Sequence, residues 1–205
     1  MGKIICLMGK SSTGKDTIYK RLLKDPELHL KKLIPYTTRP IREGEQEGIE
    51  YHFVDEERLQ QLEIEGRIVE LRAYDTVYGV WKYFTVREDS MDLEKESYAV
   101  IGTLDSWNAM KAYFGEEHML PVYVEVEDGE RLSRALARER QQAEPKYAEL
   151  CRRFLADTED FSEERLRNAG ITEKFENRDL EQCLSDIKLF IQKTVGICYN
   201  ERNGN

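Results

Sequence analysis

Short, nearly continuous apolar segments alternate with amphipathic segments along much of the chain. Residues 3–8 (KIICLM) form the first such apolar segment, which predicts a central parallel strand buried on both faces. Similar strands are predicted at residues 98–102 and 120–126, each followed by a helical stretch. Strands that alternate with helices favour a parallel sheet covered on both sides. The pattern therefore predicts an α/β fold with three layers.

Amphipathic segments with stop signals predict the helices. Lys15–Lys24 has apolar residues at helical spacing and is followed by Asp25 and Pro26, which end a helix. The other predicted helices cover residues 130–142, 147–158, 161–168 and 180–193. Residues 171–176 lie between the last two of these helices and predict an edge strand.

The segment from residue 33 to about residue 87 has a different pattern. Short β-rich pieces surround one acidic helix, residues 55–65, which ends at Gly66. These β-rich pieces are residues 33–38, 51–54, 67–73 and 78–86. We interpret the segment as a mixed α+β lobe inserted into a single domain of residues 1–198. The core would then comprise residues 1–32 and 91–198, the lobe residues 33–90, and residues 199–205 a polar tail.

Composition narrows the classes of function. The formal net charge of -9 argues against non-specific nucleic-acid binding, which needs a basic face. The apolar segments are too short to span a bilayer, and the first strand begins directly after the N-terminus, so we expect a cytoplasmic protein. Its four cysteines show neither a C-x-x-C pair nor metal-ligand spacing, which predicts free thiols. A monomer and a homodimer are both compatible with these features.

A glycine-rich segment between the first strand and the first helix carries the pattern G-x-x-x-x-G-K. In this context the pattern indicates a phosphate loop, in which backbone N–H groups and the helix N-terminus face the phosphates of a nucleotide. Lys15 would reach the β- and γ-phosphates of ATP. The alternative is an ordinary strand–turn–helix junction with a surface lysine. The candidate ATP-binding residues are Gly9, Lys10, Ser11, Ser12, Thr13, Gly14, Lys15, Asp16 and Thr17.

Asp16 stands where such loops usually have the serine or threonine that holds magnesium. A carboxylate is also a hard oxygen ligand for Mg²⁺, held directly or through water. Asp16 is therefore the candidate metal ligand, and Mg²⁺ the expected cofactor.

Two further blocks follow the phosphate loop. Residues 37–45 read TTRPIREGE, and residues 48–54 read GIEYHFV. They resemble the T-T-R-x-x-R-x-G-E and G-x-x-Y-x-F-V motifs of the guanylate kinase family. Residues 66–70 are similar to the family's G-x-x-x-E segment and residues 77–79 to its Y-Y-G. Residues 134–138 and 152–154 resemble the arginine-bearing pieces of its lid. The resemblance extends from residue 3 to about residue 191.

This resemblance implies a P-loop nucleoside monophosphate kinase that converts ATP and GMP, or dGMP, to ADP and GDP. Residues 130–158 would form a helical lid over the site. The implied GMP-binding residues are Arg39, Arg42, Glu45, Tyr51, Glu70 and Tyr78. The implied catalytic residues are Lys15, Arg39, Arg138 and Arg153.

Simple chemistry agrees with these roles but leaves alternatives. Arg39 and Arg42 can converge on one phosphate with bidentate geometry. Alternatively, they form a solvated ion-pair network with Glu43 and Glu45. Glu45 is expected to orient these cations. Glu70 can accept from N1–H and the amino group of guanine, or be an exposed strand glutamate. The alternative for Arg138 is that it lies on the solvent-exposed face of a charged helix.

Several positions depart from the family's guanine-reading set. The serine ahead of T-T-R falls at Pro35 or Tyr36, and the hydroxyl after Y-Y-G is replaced by Val80. The family's acidic strand end is replaced by VIGT at residues 100–103, with no carboxylate until Asp105. Asp16 is our candidate to take over the role of that acid in organising Mg²⁺. The sequence thus predicts a preference for GMP that is weaker than a full set of polar contacts would give.

Two alternatives to a guanylate kinase remain at this stage. One is a kinase for another nucleoside monophosphate. The other is a binding module of the same fold without catalysis, although such a module needs neither Lys15 nor the lid arginines. A GTPase switch is disfavoured because the sequence has no N-K-x-D motif.

Overall fold

The computed structural model describes residues 1–42, 44–76 and 79–196. Glu43, Val77, Tyr78 and residues 197–205 lie outside the described residues, so the roles predicted for Tyr78 and for the polar tail stay predictions. In the described part of the chain, Cys6, Cys151 and Cys183 are free thiols, as predicted.

The described elements follow one another in the order β1 Ile4–Met8, α1 Lys15–Lys24, β2 Leu30–Lys32, β3 Tyr36–Thr37, β4 His52–Phe53, α2 Glu56–Ile64, β5 Ile68–Thr76, β6 Gly79–Val86, β7 Ser97–Ile101, α3 Leu104–Phe114, β8 Met119–Glu125, α4 Asp128–Glu139, α5 Tyr147–Asp160, α6 Glu163–Asn168, β9 Lys174–Glu176 and α7 Leu180–Val195. A short 3₁₀ turn, Glu116–His118, precedes β8.

Parallel strands form the main sheet, in the order β2-β7-β1-β8-β9. The side chains of β1 are fully buried and alternate between two hydrophobic clusters. Ile4, Cys6 and Met8 share one cluster with residues of α3 and α6, whereas Ile5 and Leu7 share the other with residues of α1 and α7. A strand can be buried on both faces only when helices cover both sides of its sheet. The predicted three-layer α/β fold is confirmed.

A second, mixed sheet lies within the segment read as an inserted lobe. Its strand order is β4-β3-β6-β5, with β3 and β4 parallel and the remaining pairs antiparallel. The helix α2 buries Leu59 and Leu62 against Phe84 of β6. One prediction was wrong here, since the strand expected from residue 33 is limited to β3. Leu33 packs in the core of the main sheet instead, because the preceding residues Leu30–Lys32 pair with β7.

Most predicted boundaries agree with the structure to within a few residues. The helix α2 begins after Asp55, whose side chain accepts a hydrogen bond from Arg58 N at 2.8 Å, and Gly66 follows it at a φ of 68°. The helix α4 begins two residues earlier than predicted because Glu127 caps it, accepting from the amides of Gly129 and Glu130 at 2.9 Å each. The predicted edge strand is confirmed as β9.

Candidate functional site

The phosphate loop connects β1 to α1, and two of its glycines are required by close approach. Gly9 has a φ of 153°, and a Cβ there would lie 2.4 Å from the carbonyl oxygen of Val124. Gly14 has a φ of 85°, and a Cβ there would lie 2.5 Å from Asn177 Nδ2. A larger residue at Gly9 would push the loop away from β8, and one at Gly14 would strain the left-handed backbone and displace the side chain of Asn177.

Hydrogen bonds hold the loop in shape. Thr13 is fully buried, and its Oγ1 donates to the carbonyl of Lys10 at 2.9 Å. Asn177 Nδ2 donates to the carbonyl of Thr13 at 2.8 Å. Ser12 adopts a φ of 67°, which L-residues rarely do. Asn177 was missed in the sequence, where the only signal is a polar amide directly after the last strand.

Lys15, Asp16 and Thr17 form the first turn of α1. Lys15 Nζ lies 3.6 Å from Asp16 Oδ2, and the carboxylate of Asp16 is exposed. Thr17 N donates to the carbonyl of Gly14 at 3.0 Å, which starts the helix. Among the described residues, no group of three or more His, Cys, Asp or Glu side chains forms a metal cage. Within loop residues 9–17, Asp16 is the one carboxylate.

A chain of ion pairs joins the loop to α4 and α5. Lys10 Nζ lies 3.3 Å from Asp128 Oδ1, and Arg131 Nη2 donates to the same oxygen at 2.9 Å. Arg131 Nη1 donates to Asp157 Oδ2 at 3.1 Å, and that oxygen also accepts from the amide of Ser11 at 2.8 Å. The guanidinium of Arg131 stacks on Phe154, with Cζ 4.1 Å from the ring centroid. None of these contacts was predicted from the sequence.

The two predicted lid arginines both lie beside the loop. Arg138 Nη2 donates to Ser12 Oγ at 3.3 Å. Arg153 Nε lies 3.6 Å from Glu149 Oε1. Arg138 and Arg153 line one narrow crevice together with Ser11 and Ser12. The structure therefore brings both predicted side chains to the phosphate loop from different helices.

Arg39 is far more buried than a solvated cation would be. It is 4% exposed, and its Nη1 and Nη2 donate to the two oxygens of Glu45 at 2.7 and 2.6 Å. Its guanidinium lies 5.1 Å from the ring centroid of Tyr51 and 5.3 Å from that of Phe53. The hydrogen bonds from Arg39 hold the pKa of Glu45 well below its usual value, at about 2. Glu45 thus orients Arg39, as expected of it.

Arg42 is exposed, and its guanidinium lies over Trp81 at 5.7 Å from the ring centroid. Its backbone N–H donates to Glu45 Oε2 at 2.9 Å. Glu45 therefore links the two arginines of the T-T-R motif block. Arg39 is held rigidly and Arg42 is accessible.

Glu70 lies on β5 and is buried rather than exposed. Its carboxylate accepts from Arg72 Nε at 2.9 Å and Nη2 at 3.2 Å, and from Thr85 Oγ1 at 2.8 Å. The reading of Glu70 as an exposed strand glutamate is thus wrong. Arg72, which holds it, was not singled out in the sequence.

One cleft of about 910 Å³ joins the phosphate loop to the lobe. Residues of the loop, of the second sheet, of the end of β7 and of α5 line it together. They are Gly9, Lys15, Pro35, Tyr51, Arg72, Tyr74, Asp75, Trp81, Tyr83, Ile101, Gly102, Thr103, Glu149, Arg152 and Phe161. Four of these residues were not predicted from the sequence: Arg72, Tyr74, Trp81 and Tyr83. Every second residue of a strand lies on the same face, and Arg72 pairs with Tyr83 and Tyr74 with Trp81 across β5 and β6, so the four side chains share one face of the sheet.

The positions that depart from the family motif add few polar groups to this cleft. Pro35 lines it with an apolar ring, and the hydroxyl of Tyr36 donates to Glu88. Val80 is 49% exposed, and Asp105 pairs with Arg165 at 3.0 Å. At the end of β7, Thr103 accepts from Ser106 N at 3.2 Å as a helix cap.

The chain is similar to known proteins along most of its length. A sequence model of the family described as guanylate kinase matches residues 1–194. The guanylate kinase of Anaplasma phagocytophilum (strain HZ) is 31% identical over 137 residues, which cover 66% of this chain and 63% of that protein. The guanylate kinase of Porphyromonas gingivalis is 36% identical over 118 residues, which cover 57% of this chain and 61% of that protein. The matches span about three fifths of the length of these curated relatives.

A solved structure agrees with the fold. The crystal structure of guanylate kinase from Anaplasma phagocytophilum matches with a TM-score of 0.65 at 19% identity, over 95% of this chain and 86% of that chain. At that identity the likeness concerns the fold alone. Among the helices of the described residues, none is long and apolar enough to cross a membrane.

Proposed function

The chain belongs to the guanylate kinase family, and from that premise we propose that it transfers the γ-phosphoryl group of ATP to GMP or dGMP. The observation that carries the proposal is the shared cleft of about 910 Å³, whose wall includes both Lys15 of the phosphate loop and Tyr51 of the lobe. A cleft of this size suits a nucleotide. The donor and acceptor phosphates would meet in this cleft, between Lys15 and Tyr51.

The donor side is assigned to residues 9–17. Their backbone N–H groups and Lys15 would bind the phosphates of ATP, with Arg138 and Arg153 approaching from the lid. A second cleft of about 360 Å³, lined in part by Arg134, Asn177 and Arg178, adjoins the loop through Asn177. We assign the nucleoside part of ATP to this cleft.

The acceptor side is assigned to Arg39, Arg42 and Tyr51, with Tyr78 as a further sequence prediction. The stacking of Arg39 on Tyr51 and its pairing with Glu45 support a rigid anchor for a phosphate. The exposed Arg42 would close on the phosphate when it binds. Glu45 would act by holding Arg39 in place.

The chemistry needs little beyond positioning and charge compensation. The acceptor phosphate is already ionised at neutral pH, so it attacks without a general base. In the transition state negative charge spreads over the transferring group, and preorganised cations stabilise it. Lys15 belongs to the loop, and Arg138 and Arg153 lie beside it on α4 and α5, an arrangement that supports this role.

Asp16 is the residue that would hold Mg²⁺. Magnesium at such sites keeps several waters and takes its other ligands from substrate phosphates, so one carboxylate beside the loop fits it. When bound, Mg²⁺ neutralises charge on the β- and γ-phosphates of ATP.

Two further segments would take part in binding the substrates. Residues 33–90 would serve as the acceptor lobe and residues 130–158 as a lid that closes to exclude water. ATP and a nucleoside monophosphate would be the partners of the chain, without nucleic acid or membrane. The chain would act in the cytoplasm, as a monomer or a homodimer.

A coupled assay of ADP release tests the proposal. AMP, GMP, CMP, UMP and dTMP are supplied in turn with ATP and Mg²⁺, with the Lys15→Ala variant as the blank. GMP is expected to support the highest kcat/KM. Preference for another monophosphate would replace the guanine assignment, and ADP release that no monophosphate stimulates would overturn the kinase assignment.

A further inference from the structure

The side chain that the lobe presents to the cleft at β5 is an arginine. Arg72 follows Glu70 by two residues, so the two side chains share one face of the strand. The side chain of Arg72 is 23% exposed, whereas that of Glu70 is 3% exposed. Arg72 lines the cleft, and Glu70 lies behind it.

Contacts with protein groups occupy both oxygens of Glu70. Oε2 accepts from Arg72 Nε at 2.9 Å, and Oε1 accepts from Arg72 Nη2 at 3.2 Å and Thr85 Oγ1 at 2.8 Å. Guanine would need a free acceptor site on each oxygen to pair through N1–H and the 2-amino group, and Oε1 already accepts two bonds, so that pairing would displace Arg72 or Thr85 from Oε1. Breaking such a desolvated pair is costly.

Arg72 keeps donor capacity after it has paired with Glu70. A guanidinium has five N–H donors; the ion pair uses Nε and one N–H of Nη2, and a hydrogen bond to Tyr74 uses a third, which leaves two. Nη1 lies 3.5 Å from Thr103 Oγ1, at the long limit of a hydrogen bond, on the cleft side at the end of β7. Burial alone would lower the pKa of Arg72, but the charge of Glu70 and hydrogen bonds to Glu70 and Tyr74 raise it. The group therefore remains a charged donor.

Resting on the proposed kinase function, we propose that Arg72 reads the acceptor base and that Glu70 is a positioning residue that holds it. An arginine pairs well with the O6 and N7 acceptors of a 6-oxopurine. Adenine has an amino group in place of O6, so an N–H of Arg72 would face another donor and lose its acceptor. Because Glu70 does not read the 2-amino group, hypoxanthine is accepted nearly as well as guanine.

The proposal is tested by comparing kcat/KM for GMP, IMP and AMP as acceptors. IMP keeps O6, N7 and N1–H but lacks the 2-amino group. The kcat/KM for IMP is expected within about 10-fold of that for GMP, with AMP at least about 100-fold lower, since a polar site rejects a base that leaves its donors unpaired. If IMP falls with AMP, Glu70 reads the 2-amino group directly and the proposal is overturned.

Two variants separate Arg72 from Glu70. Arg72→Lys keeps the positive charge beside Glu70 but loses the fork, so KM for GMP and IMP should rise together by roughly 10- to 100-fold while KM for ATP is unchanged. Glu70→Gln loosens the hold on Arg72, so GMP and IMP should weaken together and their ratio should stay constant. A ratio that moves towards one in Glu70→Gln contradicts the proposal.

Arg67→Lys is the matched control. Arg67 precedes β5 and pairs with Glu65 and Glu88 outside the cleft. Its parameters should equal those of the wild type, and melting curves check that every variant folds.

Calorimetric binding of GMP, IMP and AMP separates failure of this proposal from failure of the kinase assignment. Base preference without phosphoryl transfer would leave Arg72 as the reader and remove only the enzymatic function. Transfer with equal binding of GMP and AMP would remove only the role of Arg72.

Discussion

The carboxylate of Asp157 accepts a hydrogen bond from the backbone N–H of Ser11 at 2.8 Å, which joins α5 to the phosphate loop across 146 positions of sequence. The same oxygen accepts from Arg131 Nη1 at 3.1 Å, and the side chain of Arg131 is 1% exposed. The loop is therefore shaped partly by a helix of the proposed lid.

Asp157→Ala should lower the free energy of unfolding by about 1.5–3 kcal/mol, because Ser11 N–H and the buried Arg131 both lose an acceptor. Arg131 keeps its pair with Asp128 at 2.9 Å, so the cost stays below that of a fully unpaired buried charge. Denaturant titration measures the change. Asp160→Ala on the same helix is the control, since Asp160 forms a more exposed pair with Arg165 and should cost less than about 1 kcal/mol. Equal effects of the two variants would argue against the tether.

Lys15→Ala should lower kcat/KM for phosphoryl transfer by at least about 10²-fold, because no backbone group of the loop replaces the lost charge. The fold should persist, since the ion pair of Lys15 is with the exposed Asp16. Steady-state kinetics and a melting curve provide the measurements. Lys20→Ala, an exposed position on the same helix, should behave as the wild type. Near-normal turnover in Lys15→Ala would remove the phosphate-loop assignment.

Arg42→Ala should weaken monophosphate binding by roughly 10- to 150-fold, the loss expected for a charged hydrogen-bonding contact, with ATP binding unchanged. The exposed Arg42 is a cleaner test than Arg39, whose removal also leaves Glu45 without its main partner. Titration calorimetry with GMP and, separately, with ATP measures both sites. Equal losses for both nucleotides would contradict separate donor and acceptor sites.

Glu45 should make stability depend on pH through its pair with Arg39. Its pKa is lowered from 4.5 to about 2, chiefly by the hydrogen bonds from Arg39. A lowered pKa in the folded state adds stability that is fully present above about pH 4.5 and is lost as the pH falls towards 2. Glu45→Gln should therefore be less stable than the wild type at pH 7, and the difference should shrink between pH 4.5 and 2. Free energies of unfolding across this range test it, and a difference that stays constant with pH would rule the pair out as its source.

Local features of the sequence predicted most of the fold. The bounds of α1 were predicted correctly because its start is marked by a glycine-rich turn and its end by Asp25 and Pro26. The alternation of β1 between two clusters follows from a continuous apolar run, which indicates burial on both faces. Leu33 was wrongly predicted to belong to the lobe. The residues directly before it, β2, pair with β7 of the main sheet and hold Leu33 there, and the local sequence does not show which sheet a short strand will join.

By itself, the sequence determined the phosphate loop and the T-T-R block, because each is made of residues within nine positions of one another and its geometry follows from glycines and short spacings. Only the tertiary structure decided which charges meet. Arg131 joins Asp157 and Ser11 from three elements, and Arg72 covers Glu70 against Thr85 of the neighbouring strand. A guanidinium and a carboxylate have no preferred partner along the chain. Their pairing depends on which groups packing removes from water together, since an unpaired buried charge is costly.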